Sequence, residues 1–150
     1  MVREAREEDL DRLMEIWLSG NRRAHAFVDP SYWESHQETV RTALPQAEVL
    51  VDVQERTGAV RGFLGLSGTE VEGLFVAEAF CRRGIGTALV DAAKRRHPVL
   101  TLGVYEKNAP ALAFYEKQGF VPVREQTDPG TGEREIRMRW EKCSFPSPEG

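Results

Sequence analysis

The chain has 150 residues, with 20 basic and 24 acidic side chains and a formal net charge of −4. That length suits one domain with a buried core, and the acidic balance argues against a nucleic-acid binder, which would carry a basic excess. No run approaches the roughly eighteen apolar residues of a membrane span, and the charged start, Met1 to Asp9, is unlike a secretory signal. Cys81 and Cys143 are too far apart to suggest a disulfide framework or a metal site. A cytoplasmic protein with reduced thiols, no metal, no membrane and no nucleic-acid partner is expected.

In chain order, Met1 to Ala5 suits a short edge strand. From Glu7 to Gly20, Leu10, Leu13, Met14, Trp17 and Leu18 recur at helical spacing. Acidic residues fill that helix's first turn, where the dipole favours them, and Gly20 is a natural stop. Trp17 reads as core. Asn21 to Pro30 resembles a linker carrying His25 and Phe27. Asp29-Pro30 then opens a second helix, with Asp as cap, Pro in the first turn and an overlapping capping box from Ser31 to Glu34. Tyr32, Trp33, Val40 and Leu44 give it one apolar side before Pro45.

Glu48 to Gln54 and Val60 to Ser67 read as a hairpin around Glu55-Arg56-Thr57-Gly58. Gly62 and Gly65 point to a bulge or a close backbone approach in its second strand. Val71 to Val76 is a buried strand, followed by Arg82, Arg83, Gly84, Ile85, Gly86 and Thr87 and a helix with Leu89, Val90 and Ala93 on one side. Strand, glycine turn and helix aim free backbone N–H groups at an anion such as a phosphate. The glycines let that anion approach. Arg95-Arg96-His97-Pro98 ends the helix, and Val99 to Tyr105 is a second buried strand. Asn108 and Pro110 start a helix through Ala111, Phe114 and Tyr115 to Gln118. Val121 to Gln126 reads as a strand, Asp128 to Gly132 as a loop, and Ile136, Met138 and Trp140 as the buried face of a last strand. Residues 143–150 read as a loose tail after one domain spanning 1–142.

Together, FVAEAFCRRGIGTAL at 75–89 and YEKNAPALAFYEKQGF at 105–120 resemble the GNAT superfamily of acetyl-CoA-dependent N-acetyltransferases. Trp17, Ser19, Ala24-His25-Ala26-Phe27 and Trp33 are similar to the small bacterial YjaB and YiaC type. The resemblance spans Met1 to about Lys142 and implies an α/β (α+β) fold. That fold has a single mixed central sheet of about six to seven strands, about four flanking helices and a splayed pair of central parallel strands. It implies acetyl-CoA as co-substrate and no metal, held by the backbone of Leu74, Phe75 and Val76, by Arg82 to Thr87, and along a channel lined by Asn108, Ala111 and Phe114. Asn108 also suits a helix cap.

The same resemblance implies that Tyr115 protonates the departing thiolate, though Phe114 and Tyr115 also suit an aromatic pair in the core. Candidates for the base that deprotonates the amine are Glu70, Glu72 and His25, or a water chain. Glu70 and Glu72, two apart on a strand, are expected on one face, and either also suits a solvated sheet surface. Some members place a glutamate where this chain has Gly103, which removes one standard solution. Cys81 stands where Gln or Arg is usual. Phe27, Tyr32 and Trp33, with His25, are candidate walls of the acceptor site, or simply packing. The acceptor implied is a protein lysine, a protein N-terminus or a small amine, taken by a monomer or homodimer. The other reading is a coenzyme A-binding sensor or docking module with reduced catalysis.

Overall fold

The computed structural model describes residues 1–143, so the tail expected at 143–150 lies, from 144 onward, outside the described residues. Its strands are β1 (Val2–Glu4), β2 (Glu48–Val53), β3 (Val60–Ser67), β4 (Glu70–Val76), β5 (Val99–Tyr105), β6 (Val121–Thr127) and β7 (Arg134–Glu141). They form one 7-stranded sheet in the order β1-β2-β3-β4-β5-β7-β6. Only β4 and β5 pair in parallel; the other ladders are antiparallel. The helices are α1 (Leu10–Ala24), α2 (Pro30–Ser35), α3 (Gln37–Ala43), α4 (Ile85–Arg96) and α5 (Ala109–Lys117). The expected mixed α/β architecture is the one observed.

Strand alternation divides the core between the two faces of the sheet. Val49, Val51 and Val53 of β2 pack with Leu13, Ile16 and Trp17 of α1. Leu50 points the other way, toward Leu89 and Val90 of α4. Burying a side chain such as Leu89, which is fully enclosed, stabilises the fold by about 2 kcal/mol relative to leaving it in water.

Several helical expectations change, and the acidic Glu7–Asp9 form a 3-10 turn ahead of α1 rather than its first turn. α1 does not stop at Gly20 but runs to Ala24. Gly20 is buried, and a β-carbon there would lie 2.9 Å from Phe75 Cδ1. The glycine lets α1 approach β4 closely, rather than ending the helix. The second predicted helix is broken into α2 and α3 at His36, whose φ and ψ are −98° and 0°. Its Nδ1 lies 2.6 Å from the Tyr32 carbonyl, the helical acceptor for its own amide, and that amide turns instead to Trp33 O at 3.1 Å. The break makes five helices where about four were expected. Asp29 caps α2 by accepting from Ser31 N at 2.9 Å, but the Ser31 hydroxyl donates to Asp29 and makes no box with Glu34.

The feature that positions the site is the β4–β5 junction. These strands share one register pair, Glu70 with Thr101, and the Thr101 amide donates to Thr69 O at 2.9 Å. Beyond that point they splay, β4 staying on β3 and β5 on β7. Facing backbone edges of both strands are left without a strand partner, and Arg23 donates to one of the β4 carbonyls, Val76 O. β4 also carries one residue more than β3: Gly65 pairs with Gly73 but Leu66 with Val71, so Glu72 stands in a bulge. Val71 consequently faces α4 while Phe75, four residues on, packs on the α1 side.

Candidate active site

The splayed strands open into a cleft reached from both faces of the sheet. On the α4–α5 side a cavity of about 580 Å³ is lined by Arg82, Gly84 to Thr87 and Phe114; on the α1 side one of about 320 Å³ is lined by Glu72, His25, Trp33 and Asn108. Leu74, Val76, Ala111 and Tyr115 line both. The two cavities therefore meet at these four residues, of which Tyr115 is the only one with a titratable side chain.

The first cavity is built from main chain. The first α4 hydrogen bond runs from Ala88 N to Gly84 O at 3.0 Å, so the N–H groups of Ile85, Gly86 and Thr87 have no acceptor within the helix. Gly84 caps α4 with φ 78°, a left-handed conformation that glycine adopts without steric cost. Arg82 also has positive φ, 66°, which is uncommon for a side-chain-bearing residue. The bend from Cys81 to Gly84 is exposed, while Ile85 anchors it in the core. At Gly86 a β-carbon would sit 3.3 Å from Phe114 Cζ and 3.8 Å from Leu74 Cδ2, filling space that belongs to the cavity. Donors, positive side chains and that vacancy suit a diphosphate followed by a slender arm along the open β4 edge.

Not every predicted cofactor residue turns its side chain to this cavity, although Phe75 was expected to act through its backbone. Phe75 points to the α1 side against Phe63, with ring centroids 5.4 Å apart. Arg83 lies over the Phe80 ring at 5.5 Å. Asn108 faces the α1-side cavity, and it caps α5 by accepting from Ala111 N at 3.3 Å. The Cys81 thiol is exposed, 3.6 Å from Ala77 O.

The base candidates stand in unequal states. Glu70 is gripped by both Arg137 nitrogens, at 2.8 and 2.5 Å, and by the Thr101 hydroxyl at 2.7 Å. Burial alone would raise its pKa, but these partners outweigh burial and hold the carboxyl below its ordinary value. Glu72 forms no such pair among the described residues. Burial and then the Glu70 charge raise its pKa, against a smaller pull from Arg137. His25 Nδ1 lies 3.0 Å from Asn21 Oδ1, and its Nε2 lies 3.3 Å from Asn108 Nδ2. An amide nitrogen only donates, so Nε2 accepts and Nδ1 carries the proton. Burial pushes the ring's pKa down from 6.5 to about 4.

Tyr115 is buried, edge to face with Phe114 and Phe120 at 5.2 and 5.5 Å, and burial raises its phenol pKa. Trp33 lines the α1-side cavity, and its buried Nε1 finds no partner among the described residues. Phe27 and Tyr32 stand beside the cavity rather than in it. Phe27 packs on Tyr105 at 5.6 Å and Tyr32 on Trp33 at 4.9 Å.

Sequence reasoning missed Tyr105 and Glu135, which line the α1-side cavity, and Arg137, which grips Glu70; Trp17 is core, as expected, and also lines that cavity. Glu135 and Arg137 belong to the polar face of an alternating strand, a pattern that ordinarily marks solvent. The order β5-β7-β6 turns that face toward the cleft. Only the strand order could have revealed it.

Residues 45–122 match the model of the acetyltransferase (GNAT) domain. The chain is 40% identical over 121 residues to the peptidyl-lysine N-acetyltransferase YiaC of Escherichia coli, covering 80% of this chain and 82% of that protein. It is 36% identical over 128 residues to the peptidyl-lysine N-acetyltransferase YjaB of the same organism, covering 85% and 86%. The solution structure of apo YjaB superposes with a TM-score of 0.83 at 30% identity, over 95% of this chain and 98% of that one. A structure of yncA from Salmonella typhimurium with its cofactor acetyl-CoA shares the fold, with a TM-score of 0.66 at 19% identity, over 99% of this chain and 96% of that one. The chain belongs to the GNAT family of acetyltransferases.

Proposed function

We propose that the protein acetylates the ε-amino group of lysine in peptides or proteins of the cytoplasm, with acetyl-CoA as donor. The observation that carries this reading is the position of Tyr115, where the open β4 edge and both cavities meet, with Glu72 on the α1 side. The names of YiaC and YjaB support lysine over other amines.

The α4 N-terminus with Arg82 would hold the diphosphate, and Leu74 and Val76 the pantetheine arm through their backbone. Acetyl-CoA supplies an activated acyl carbon, whose bond to sulfur breaks as its bond to the amine nitrogen forms. Lysine arrives as an ammonium, so one proton must leave before nitrogen can attack. Glu72 takes it: burial and the Glu70 charge raise its pKa, whereas Arg137 and Thr101 hold that of Glu70 down, so Glu72 is the stronger base of the two. Glu70 serves instead to fix Arg137 and the strand junction. The Tyr115 hydroxyl supplies a proton to the departing thiolate, and the second proton that the nitrogen sheds as the amide forms restores the Tyr115 phenol. The balance is one acetylated amine, one thiol and one proton released from Glu72 to water. His25, with its Nε2 lone pair given to Asn108, orders the cavity wall rather than acting as base.

Calorimetric titration with acetyl-CoA, followed by mass spectrometry of an N-acetylated, C-amidated Gly-Lys-Gly peptide, tests the proposal. Binding and one added acetyl on lysine nitrogen are expected. A titration without heat and without a rise in melting temperature would refute it, and binding with no transfer to any amine would favour the sensor.

A further inference from the structure

Gly103 of β5 faces the cleft without a side chain, and the space it leaves is filled from the neighbouring strand. A β-carbon at 103 would overlap the carboxylate of Glu135, lying 2.6 Å from its Cδ, and would sit 2.9 Å from Arg137 Nη1. The register explains the reach: Gly103 pairs with Arg137 and Tyr105 with Glu135. Glu135 therefore leans along β7 over the glycine. Gln126 of β6 fixes it by donating from Nε2 to Oε1 at 2.6 Å. Oε2, the oxygen nearest the Gly103 position, receives no hydrogen bond among the described residues.

The charges around it favour a cationic guest. Glu72 and Glu135 line the same cavity, and among the described residues neither forms an ion pair. Arg137, the nearest guanidinium, is committed to Glu70 through both nitrogens. Arg23, the other cation at the cavity, donates to Val76 O at 3.1 Å and pairs with Glu78 at 4.0 Å. His25 is neutral at neutral pH. Trp17, Trp33 and Tyr105 supply apolar walls for an aliphatic stem.

We propose that Glu135 is the acceptor-binding carboxylate of this enzyme, holding the ammonium of an incoming lysine through Oε2 over Gly103 while Glu72 receives the proton. The inference rests on the acetyltransferase reading above and adds a specificity residue to it. A carboxylate that holds while another deprotonates makes the site select cations, so neutral-ended side chains of similar length are rejected. Glu135 and Gly103 also act as one unit. A larger residue at 103 is tolerated only when 135 is shortened.

Steady-state kinetics of the full chain with the Gly-Lys-Gly peptide test this. Glu135→Gln keeps the shape and the contact to Gln126 but removes the charge, and should raise the acceptor KM about tenfold with kcat, the acetyl-CoA KM and the melting temperature nearly unchanged. Gly103→Glu with Glu135→Ala places a carboxylate back in the same space from β5 and should recover most of that loss. An acceptor KM within about twofold of the parent in Glu135→Gln overturns the proposal. So does a parallel fall of kcat and acetyl-CoA affinity, which would mark a structural role. If the unmodified chain binds acetyl-CoA but transfers nothing to the peptide, the lysine reading itself fails and takes this one with it.

Discussion

The two ends of the cleft are built in opposite ways. The end suited to a diphosphate is main chain: Arg82 to Thr87 present the amides of a helix start, and the glycines serve backbone shape and clearance. The end suited to an amine is side chain, contributed by α1, α2, β4, β5 and β7. A backbone site needs only a correct local fold, and one stretch of sequence encodes it. A side-chain site needs the sheet order first. The diphosphate end should therefore lose affinity when its shape changes, and the amine end should lose rate or selectivity when single atoms change.

The largest effect is expected where the ends meet. Tyr115→Phe removes one oxygen and leaves the packing against Phe114 and Phe120 in place. Turnover should fall by about one to three decades, with acetyl-CoA affinity by calorimetry nearly unchanged. Unchanged turnover would remove the phenol from the mechanism and leave it an aromatic of the core.

Next in size is the separation of the two glutamates. Glu72→Gln should lower turnover about tenfold or more and abolish the rise of rate with pH. The sign follows from the raised pKa: the ionised, basic form of Glu72 accumulates as pH rises through a value above the ordinary carboxylate range. Glu70→Gln should keep a rising limb, moved to lower pH because the Glu70 charge no longer raises the Glu72 pKa, and should lower the melting temperature, because Arg137 would lose a charged partner held at 2.5 Å. Identical pH profiles for all these proteins would move the base to ordered water.

These contrasts trace what the sequence could reveal. The strands, the phosphate-type turn and the position of Tyr115 were legible because period-2 patterns, glycines and caps act within a few residues. Gly20 was misread because a glycine that stops a helix and one that admits Phe75 look alike in sequence. The His36 break depends on a side chain capturing the Tyr32 carbonyl, and the Glu72 bulge on a mismatch between two strands. Glu135 was invisible for a deeper reason. The absence of a side chain at Gly103 gains meaning only when β7 is known to lie beside β5.

At the diphosphate end, Gly86→Val should weaken acetyl-CoA binding about tenfold, with the fold intact. Its β-carbon alone would stand 3.3 Å from Phe114, and the added methyls must enter the cavity or displace that ring. Equal affinity in the variant would show that the ligand does not pass Gly86.

The smallest effect tests the wall rather than the chemistry. Protonation of His25 would set a new N–H against the Asn108 amide that now donates to it, and would place charge in a half-buried ring. The folded-state pKa is about 4 against 6.5 for an ordinary histidine. Below 6.5 the unfolded chain binds the proton and the folded chain does not, so this residue favours folding fully above 6.5 and loses that contribution as pH falls toward 4. The loss should be about 1–2 kcal/mol after allowing for solvent around the ring. Glu70 runs in the same direction, but in a lower window, since its pKa is depressed from a value already near 4.5. Glu72 runs oppositely, yet it is present in both proteins and cancels when His25→Gln is compared with the parent. Urea unfolding at pH 7 and pH 5 should therefore show a shallower fall in the variant. Equal slopes would mean that the imidazole already reaches water, and that the amine end of the cleft is looser than its hydrogen bonds suggest.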